Sequence, residues 1–267
     1  MELSGAVCLV TGATSGIGRA TALRLLEPEI GASVIALGRD AGALDGLKAA
    51  AREEELPVDR LVGIRADLAE PGDIDLAVQE ALAAFGHIDA LVNNAAQGYA
   101  GPFADQDPDG ADYLVRVNLI APIRLTRALL PAMVERRRGA IVNVSSIAGH
   151  VGVKDEAVYA STKAGLIGLS ESLRYELKGS GVSVSVVSPG VVQTAFFERR
   201  GRPYDRRFPR PISPERVAEA IIHAIGSGQP QLFVPGWMAF PARLKGTFPS
   251  LYRGLAGRFA WRRSGKG

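Results

Sequence analysis

Short apolar runs alternate along this chain with longer segments in which apolar residues recur at helical spacing. The runs at 6–10, 33–37, 61–65, 90–93, 140–144, 183–187 and 231–234 read as strands, with helices between them. Strands that are apolar throughout, rather than at alternate positions, belong to a parallel sheet covered on both faces. The pattern predicts an α/β chain: a doubly wound, mostly parallel sheet (Rossmann fold) in three layers, joined by right-handed crossovers, with ligands at the carboxyl ends of the strands. No repeat or low-complexity linker breaks the rhythm before about residue 195, so residues 1–235 are expected to form one domain and 236–267 an extension of it.

Composition narrows the class. With 267 residues, 47% of them apolar and 22% charged, the chain is long enough to bury a large core. No run of about 18 apolar residues suggests a membrane span. Met1 to Gly5 lead into an apolar strand without the charged and cleavable parts of a secretory signal, which makes the cytoplasm the default location. Cys8, the one cysteine, reads as buried packing, and the three histidines lack ligand spacing, so no metal is expected. The basic residues accompany no recognition module, which argues against nucleic acid.

The first strand gives way to Thr11-Gly12-Ala13-Thr14-Ser15-Gly16-Ile17-Gly18-Arg19 and then to a helical segment at 20–26. Glycines allow a tight turn and let the backbone approach a pyrophosphate, whose charge then meets the N–H groups of the helix start. The second strand should carry the group that meets the adenosine ribose, and at its end stand Gly38, Arg39 and Asp40. Gly38 cannot accept from a ribose 2′-hydroxyl, whereas Arg39 can pair bidentately with a 2′-phosphate. NADP(H) is therefore expected over NAD(H), with Asp40 reaching the ribose as the alternative.

Further along, Asp67 could accept from an adenine amino group or stabilise its own turn. Asn93-Asn94-Ala95-Ala96 ends the fourth strand with small residues that leave room beside a flat ring. Asn118 interrupts a mostly apolar helical stretch at 109–135, where a poor interior helix residue predicts a local distortion. Tyr159 and Lys163 stand four apart and so share one helix face, downstream of Ser146. A free tyrosine titrates near pH ~10. A fixed positive charge beside it lowers that value and suits the phenol to proton exchange.

Taken together over about residues 5–230, these motifs and Ser188-Pro189-Gly190-Val191-Val192-Gln193-Thr194 resemble the short-chain dehydrogenase/reductase superfamily in its single-domain branch. The resemblance implies a catalytic set of Asn118, Ser146, Tyr159 and Lys163. Tyr159 would exchange the proton with the substrate oxygen, Lys163 would bond the nicotinamide ribose and lower the tyrosine pKa, and Ser146 would orient the carbonyl. Asn118 would bend its helix and hold a relay water. Cofactor contacts would fall to Gly12, Thr14, Ser15, Gly16, Ile17, Gly18, Arg39, Asp67, Leu68, Asn94, Ala95, Pro189, Gly190, Val192 and Thr194, besides Tyr159 and Lys163. One departure is visible: Ala96 stands where the family commonly has glycine.

In the same position the family carries a substrate lid, here at about 195–212. It holds Arg199, Arg200, Arg202, Arg206, Arg207 and Arg210 and starts with Phe196 and Phe197, which suit an apolar substrate body. The arginines could order on an anionic substrate or stay solvated. The extension mixes aromatic residues with Arg243, Lys245, Arg253, Arg258, Arg262, Arg263 and Lys266, a combination that can touch a membrane peripherally, pack on a subunit or close over the pocket. Family members pair the helices holding Asn118 and Tyr159 between subunits, which implies a homodimer or homotetramer. The favoured reading is an NADP(H)-dependent oxidoreductase of a carbonyl or secondary alcohol on a mostly apolar small molecule. A 3-oxoacyl-thioester reductase and a non-catalytic NADP(H) sensor are the alternatives.

Overall fold

The apolar runs become seven parallel strands in a computed structural model that describes residues 1–205 and 207–261, with side chains through 256. In chain order the main elements are β1 (Val7–Thr11), α1 (Gly16–Leu26), β2 (Ser33–Gly38), α2 (Ala41–Glu53), β3 (Leu61–Arg65), α3 (Pro71–Phe85) and β4 (Ala90–Asn93). There follow α4 (Pro108–Val115), α5 (Ala121–Glu135), β5 (Gly139–Val144), α6 (Ile147–Val151), α7 (Ala157–Glu176), β6 (Val182–Pro189), α8 (Phe196–Arg199), α9 (Pro214–Ser227) and β7 (Gln231–Val234). Two helices close the described chain, α10 (Ala239–Thr247) and α11 (Pro249–Trp261).

The strand order β3-β2-β1-β4-β5-β6-β7 makes a doubly wound sheet. Successive side chains of a strand point to opposite faces, and both faces are buried. Cys8 and Val10 of β1 and Val34 and Ala36 of β2 pack beneath α1, α2 and α9, while Leu9, Ile35 and Leu37 pack beneath α3 and α5. This is why the strands are apolar throughout instead of alternating. Leu125 and Met133 are wholly buried and fix α5 to the sheet, each contributing about 1.5–3 kcal/mol by leaving water. Cys8 lies in this core, and burial, with a smaller push from the Asp89 carboxylate, drives its thiol pKa up to about 12.

Two features bear directly on the site. The strand order reverses between β1 and β4, which run parallel, and this opens a crevice at their carboxyl ends. The helical stretch Pro108–Glu135 is one rod interrupted by a π-turn over Arg116–Ile120, with Asn118 buried inside it. That is the distortion the asparagine led us to expect. By length and composition this rod could cross a membrane, but it lies against the sheet with one face in the core.

Candidate active site

A cavity of about 1520 Å³ runs along the carboxyl edge of the sheet from Gly12 to Ala256. At the β1 end the backbone is shaped by its glycines. Gly12 and Gly16 take positive φ values of 64° and 53°, a region L side chains avoid. A Cβ on Gly18 would stand 2.1 Å from the Gly12 carbonyl oxygen, so Gly18 lets α1 close onto the turn and does not itself face the cavity. The first turn of α1 carries no acidic side chain, which leaves its N–H groups and positive dipole end to an anion. Thr14, Ser15, Gly16 and Ile17 line the cavity there.

The turn is sewn to β4. The Thr11 hydroxyl accepts from both Asn94 N and Ala95 N at 2.9 Å, and Asn94 Nδ2 returns a bond to Thr11 O at 2.9 Å. The fit to a dinucleotide rests on this cradle, in which a Cβ on Gly12 would meet Ala95 Cα at 2.9 Å. Sequence reasoning passed over Thr11, whose hydroxyl could be read as functional only once its distance to β4 was known.

Beyond the ends of β2 and β3 the cavity is lined by Arg39, Asp67, Leu68 and Tyr113. The Arg39 guanidinium is hydrogen-bonded to the Tyr113 hydroxyl, 74 residues away in sequence, and lies 5.9 Å from the centroid of its ring. Arg65 Nε donates to Arg39 O at 3.2 Å, bringing a second guanidinium to the same corner. Asp40 is occupied otherwise: its Oδ1 accepts from Ala43 N at 3.0 Å and caps α2. Asp67 holds its own turn, accepting from Ala69 N at 2.9 Å, and still lines the cavity.

Ser146, Tyr159 and Lys163 converge at the centre of the edge. Ser146 caps α6, its Oγ accepting from Ala148 N at 3.1 Å, and it is hydrogen-bonded to the Tyr159 hydroxyl. The adjacent Ser145 turns away and donates to Lys163 O at 2.8 Å. Lys163 is 2% exposed and stands behind the cavity wall, its Nζ donating to Val144 O at 2.8 Å and lying 5.8 Å from the centroid of the Tyr159 ring. Gly149 makes this close packing possible, since a Cβ there would meet the Lys163 carbonyl carbon at 2.7 Å. Asn118 is also behind the wall: its Oδ1 accepts from Gln97 N at 2.8 Å, and its Nδ2 donates to Gln97 O at 2.9 Å and Thr162 Oγ1 at 3.2 Å. It ties the loop after β4 to α7.

Burial lowers the Lys163 pKa from 10.5 to about 7. Burial also raises that of Tyr159 well above its ordinary value, with a smaller push from Glu156, and outweighs the Ser146 hydrogen bond and Arg200, which lower it. The same desolvation thus acts on both groups and favours the neutral form of each.

Over the opening lies the lid, tied at its base where Val192 bridges Ile212 and Gln193 N donates to Ile212 O at 2.8 Å. Thr194 packs on Gly16, Gly190 is pressed by Met238, and Pro189 lines the cavity. Two of the loop arginines are held by acids of this chain, a pairing that neither reading of the loop foresaw. Arg200 pairs with Glu156 and lies over the Phe197 ring, and Arg202 meets Asp155 at 2.8 Å. Arg199 instead reaches toward Ser15 Oγ at 3.5 Å, across the glycine turn. Phe196 stacks obliquely on Tyr159 with ring centroids 5.4 Å apart. Arg206 and the tail side chains Arg258, Phe259, Trp261, Arg262, Arg263 and Lys266 lie outside the described residues. Among the described residues no cluster of His, Cys, Asp and Glu is placed to hold a metal ion.

A family model described as short chain dehydrogenase matches residues 6–205. The chain belongs to that family. As a short-chain dehydrogenase it is 37% identical over 231 residues to dehydrogenase/reductase SDR family member 7B of Bos taurus, covering 83% of this chain and 70% of that one. Among solved structures, a short-chain dehydrogenase/reductase of Burkholderia phymatum in complex with NAD superimposes with a TM-score of 0.83 at 25% identity, over 94% of this chain and 96% of that one. A short-chain dehydrogenase of Sphingobium yanoikuyae in complex with NADPH gives 0.78 at 30% identity, over 92% and 96%. The dehydrogenase is thus an oxidoreductase of a family whose members bind either nicotinamide dinucleotide.

Proposed function

We propose that this chain uses NADP(H) to interconvert a carbonyl and a secondary alcohol on a mostly apolar small molecule, with Tyr159 as the proton donor and acceptor. The observation that carries the reading is the Ser146–Tyr159 hydrogen bond, at the centre of a cavity that begins at the glycine turn. When bound, the dinucleotide supplies the hydride. Tyr159 gives its phenolic proton to the substrate oxygen, and Ser146 donates a hydrogen bond to that oxygen as negative charge grows there. Lys163 Nζ, one turn along α7, keeps a positive charge within reach of the ribose and of the phenol once ligand oxygens offset its desolvation. Asn118 holds the loop after β4, and through it Ala95 and Ala96, which would border the bound ring. Phe196, Phe197 and Tyr204 exclude water from the substrate side.

NADP(H) over NAD(H) is supported by the two arginines at the ends of β2 and β3 and by the commitment of Asp40 to its helix cap. Pairing of Arg200 and Arg202 with acids of the same chain takes two of the loop's cations from the thioester reading. A sensor would have no use for a serine, a phenol and an ammonium brought together. The buried lone Cys8 fits the cytoplasm, where thiols stay reduced. Exposed Ile120, Ile123 and Tyr175 on the α5 and α7 side suit pairing with a second copy in a dimer or tetramer.

Tyr159→Phe tests the assignment. NADPH absorbance over a panel of ketones, aldehydes and 3-oxoacyl thioesters should show turnover lowered by about 10²–10⁴-fold, with cofactor affinity nearly unchanged. Turnover at the wild-type rate would refute it.

A further inference from the structure

The far end of the cavity is finished by the tail. Tyr252 and Ala256, one turn apart on α11, line it together with Leu244 of α10. Around this mouth, large apolar side chains stand exposed among the polar ones. Phe208, Trp237, Phe240, Phe248, Leu251 and Leu255 are each between 41% and 68% exposed, and Phe208 of the lid stacks on Trp237 with centroids 5.3 Å apart. Large apolar side chains gathered on one rim mark a surface that has a partner.

Charge identifies the partner. Residues 236–267 hold seven Lys and Arg and no Asp or Glu. Of these Arg243 and Arg253 are exposed beside Phe240 and Leu251, and the lid adds exposed Arg207 and Arg210. Aromatic and aliphatic side chains among cations, on helices lying flat, match the interface of an anionic bilayer, where tails accept the apolar groups and headgroups the charges. A second copy of the same face would bring like charges together. The face is held at a fixed angle: Lys245 Nζ donates to His150 O at 2.7 Å, and Met238 is buried against Gly190.

We propose that the lid and tail rim is a docking surface for an anionic membrane, with the mouth of the cavity turned toward the lipid. The inference goes beyond the proposed reaction and does not depend on it, because partition can be read without cofactor or substrate. The full chain is floated with vesicles of phosphatidylcholine alone and of phosphatidylcholine mixed with phosphatidylserine, as wild type, as Phe240→Asp/Leu251→Asp and as Arg243→Glu/Arg253→Glu. Wild type should float with the mixed vesicles and be released by salt. Partition should fall about a hundredfold for the apolar pair and at least about tenfold for the charge pair, with melting temperatures and NADPH fluorescence unaltered. The charge pair alone carries the test if the apolar pair melts early. Wild type that stays at the bottom with both vesicles, or equal flotation of wild type and the folded variants, would overturn the proposal. So would light scattering in which the variants split a wild-type dimer that does not float, because a second copy would then occupy the face.

Discussion

Lys163→Met keeps roughly the length of the lysine stem and removes its ammonium, and so isolates what that buried charge does to the fold. In the unfolded chain the group holds its proton up to pH 10.5, while in the folded chain burial releases it at about 7. Between those values the unfolded state binds more protons, so stability rises with pH; below about pH 7 the full penalty is present. At roughly 1.4 kcal/mol per tenfold change, the penalty is about 4–5 kcal/mol. Against it stands the hydrogen bond from Nζ to Val144 O, 2.8 Å long. Its loss leaves a buried carbonyl unpaired at a cost of about 1–3 kcal/mol. The variant should therefore be more stable than wild type by about 1–4 kcal/mol near pH ~7, with that advantage shrinking by about 2 kcal/mol by pH ~9. Urea unfolding followed by far-ultraviolet circular dichroism, at one fixed protein concentration, measures both. A variant less stable than wild type at neutral pH, or a difference that does not change with pH, would refute the reasoning. The same variant should be nearly inactive, so that stability and turnover move in opposite directions.

Other outcomes follow from single contacts. Arg39→Ala should weaken NADPH binding by about 10–100-fold and NADH binding far less, because charge-assisted pairing with the 2′-phosphate is lost for one dinucleotide only, while the Tyr113 contact is lost for both; titration of cofactor fluorescence with both dinucleotides checks this. Gly18→Ala places a methyl 2.1 Å from the Gly12 carbonyl oxygen and should abolish cofactor binding, with a lower melting temperature in calorimetry. Cys8, buried and with its thiol raised to about 12, should resist a thiol-specific reagent near pH ~8 in the native protein and react fully in denaturant.

The sheet was legible because its strands are buried on both faces. A run such as 33–37 has no polar residue to disguise it beyond the entering serine, and β2 extends it by one residue, to Gly38. β1 is displaced by one residue from the run 6–10, since Thr11 is polar yet still pairs with Leu37. Helical spacing put Tyr159 and Lys163 on one face, but the pair became a candidate only through the motifs around it, and Asn118 was legible through its misfit in a helix. Contacts between distant segments were not. Tyr113 beside Arg39, Glu156 beside Arg200 and Asp155 beside Arg202 are brought together by the fold, and each residue taken singly is an ordinary surface residue. Composition also gives no measure of how dry a site will be, so the burial that shifts both Tyr159 and Lys163 could not be read from it.

The stitching of Thr11 to Asn94 and Ala95 braces one bank of the cavity across two strands. The opposite bank is held through side chains, Arg200 on Glu156 and Arg199 near Ser15. Grafting a different 195–212 hoop onto this chain should therefore change the molecules admitted and the speed of their exchange, while the chemistry beneath continues undisturbed.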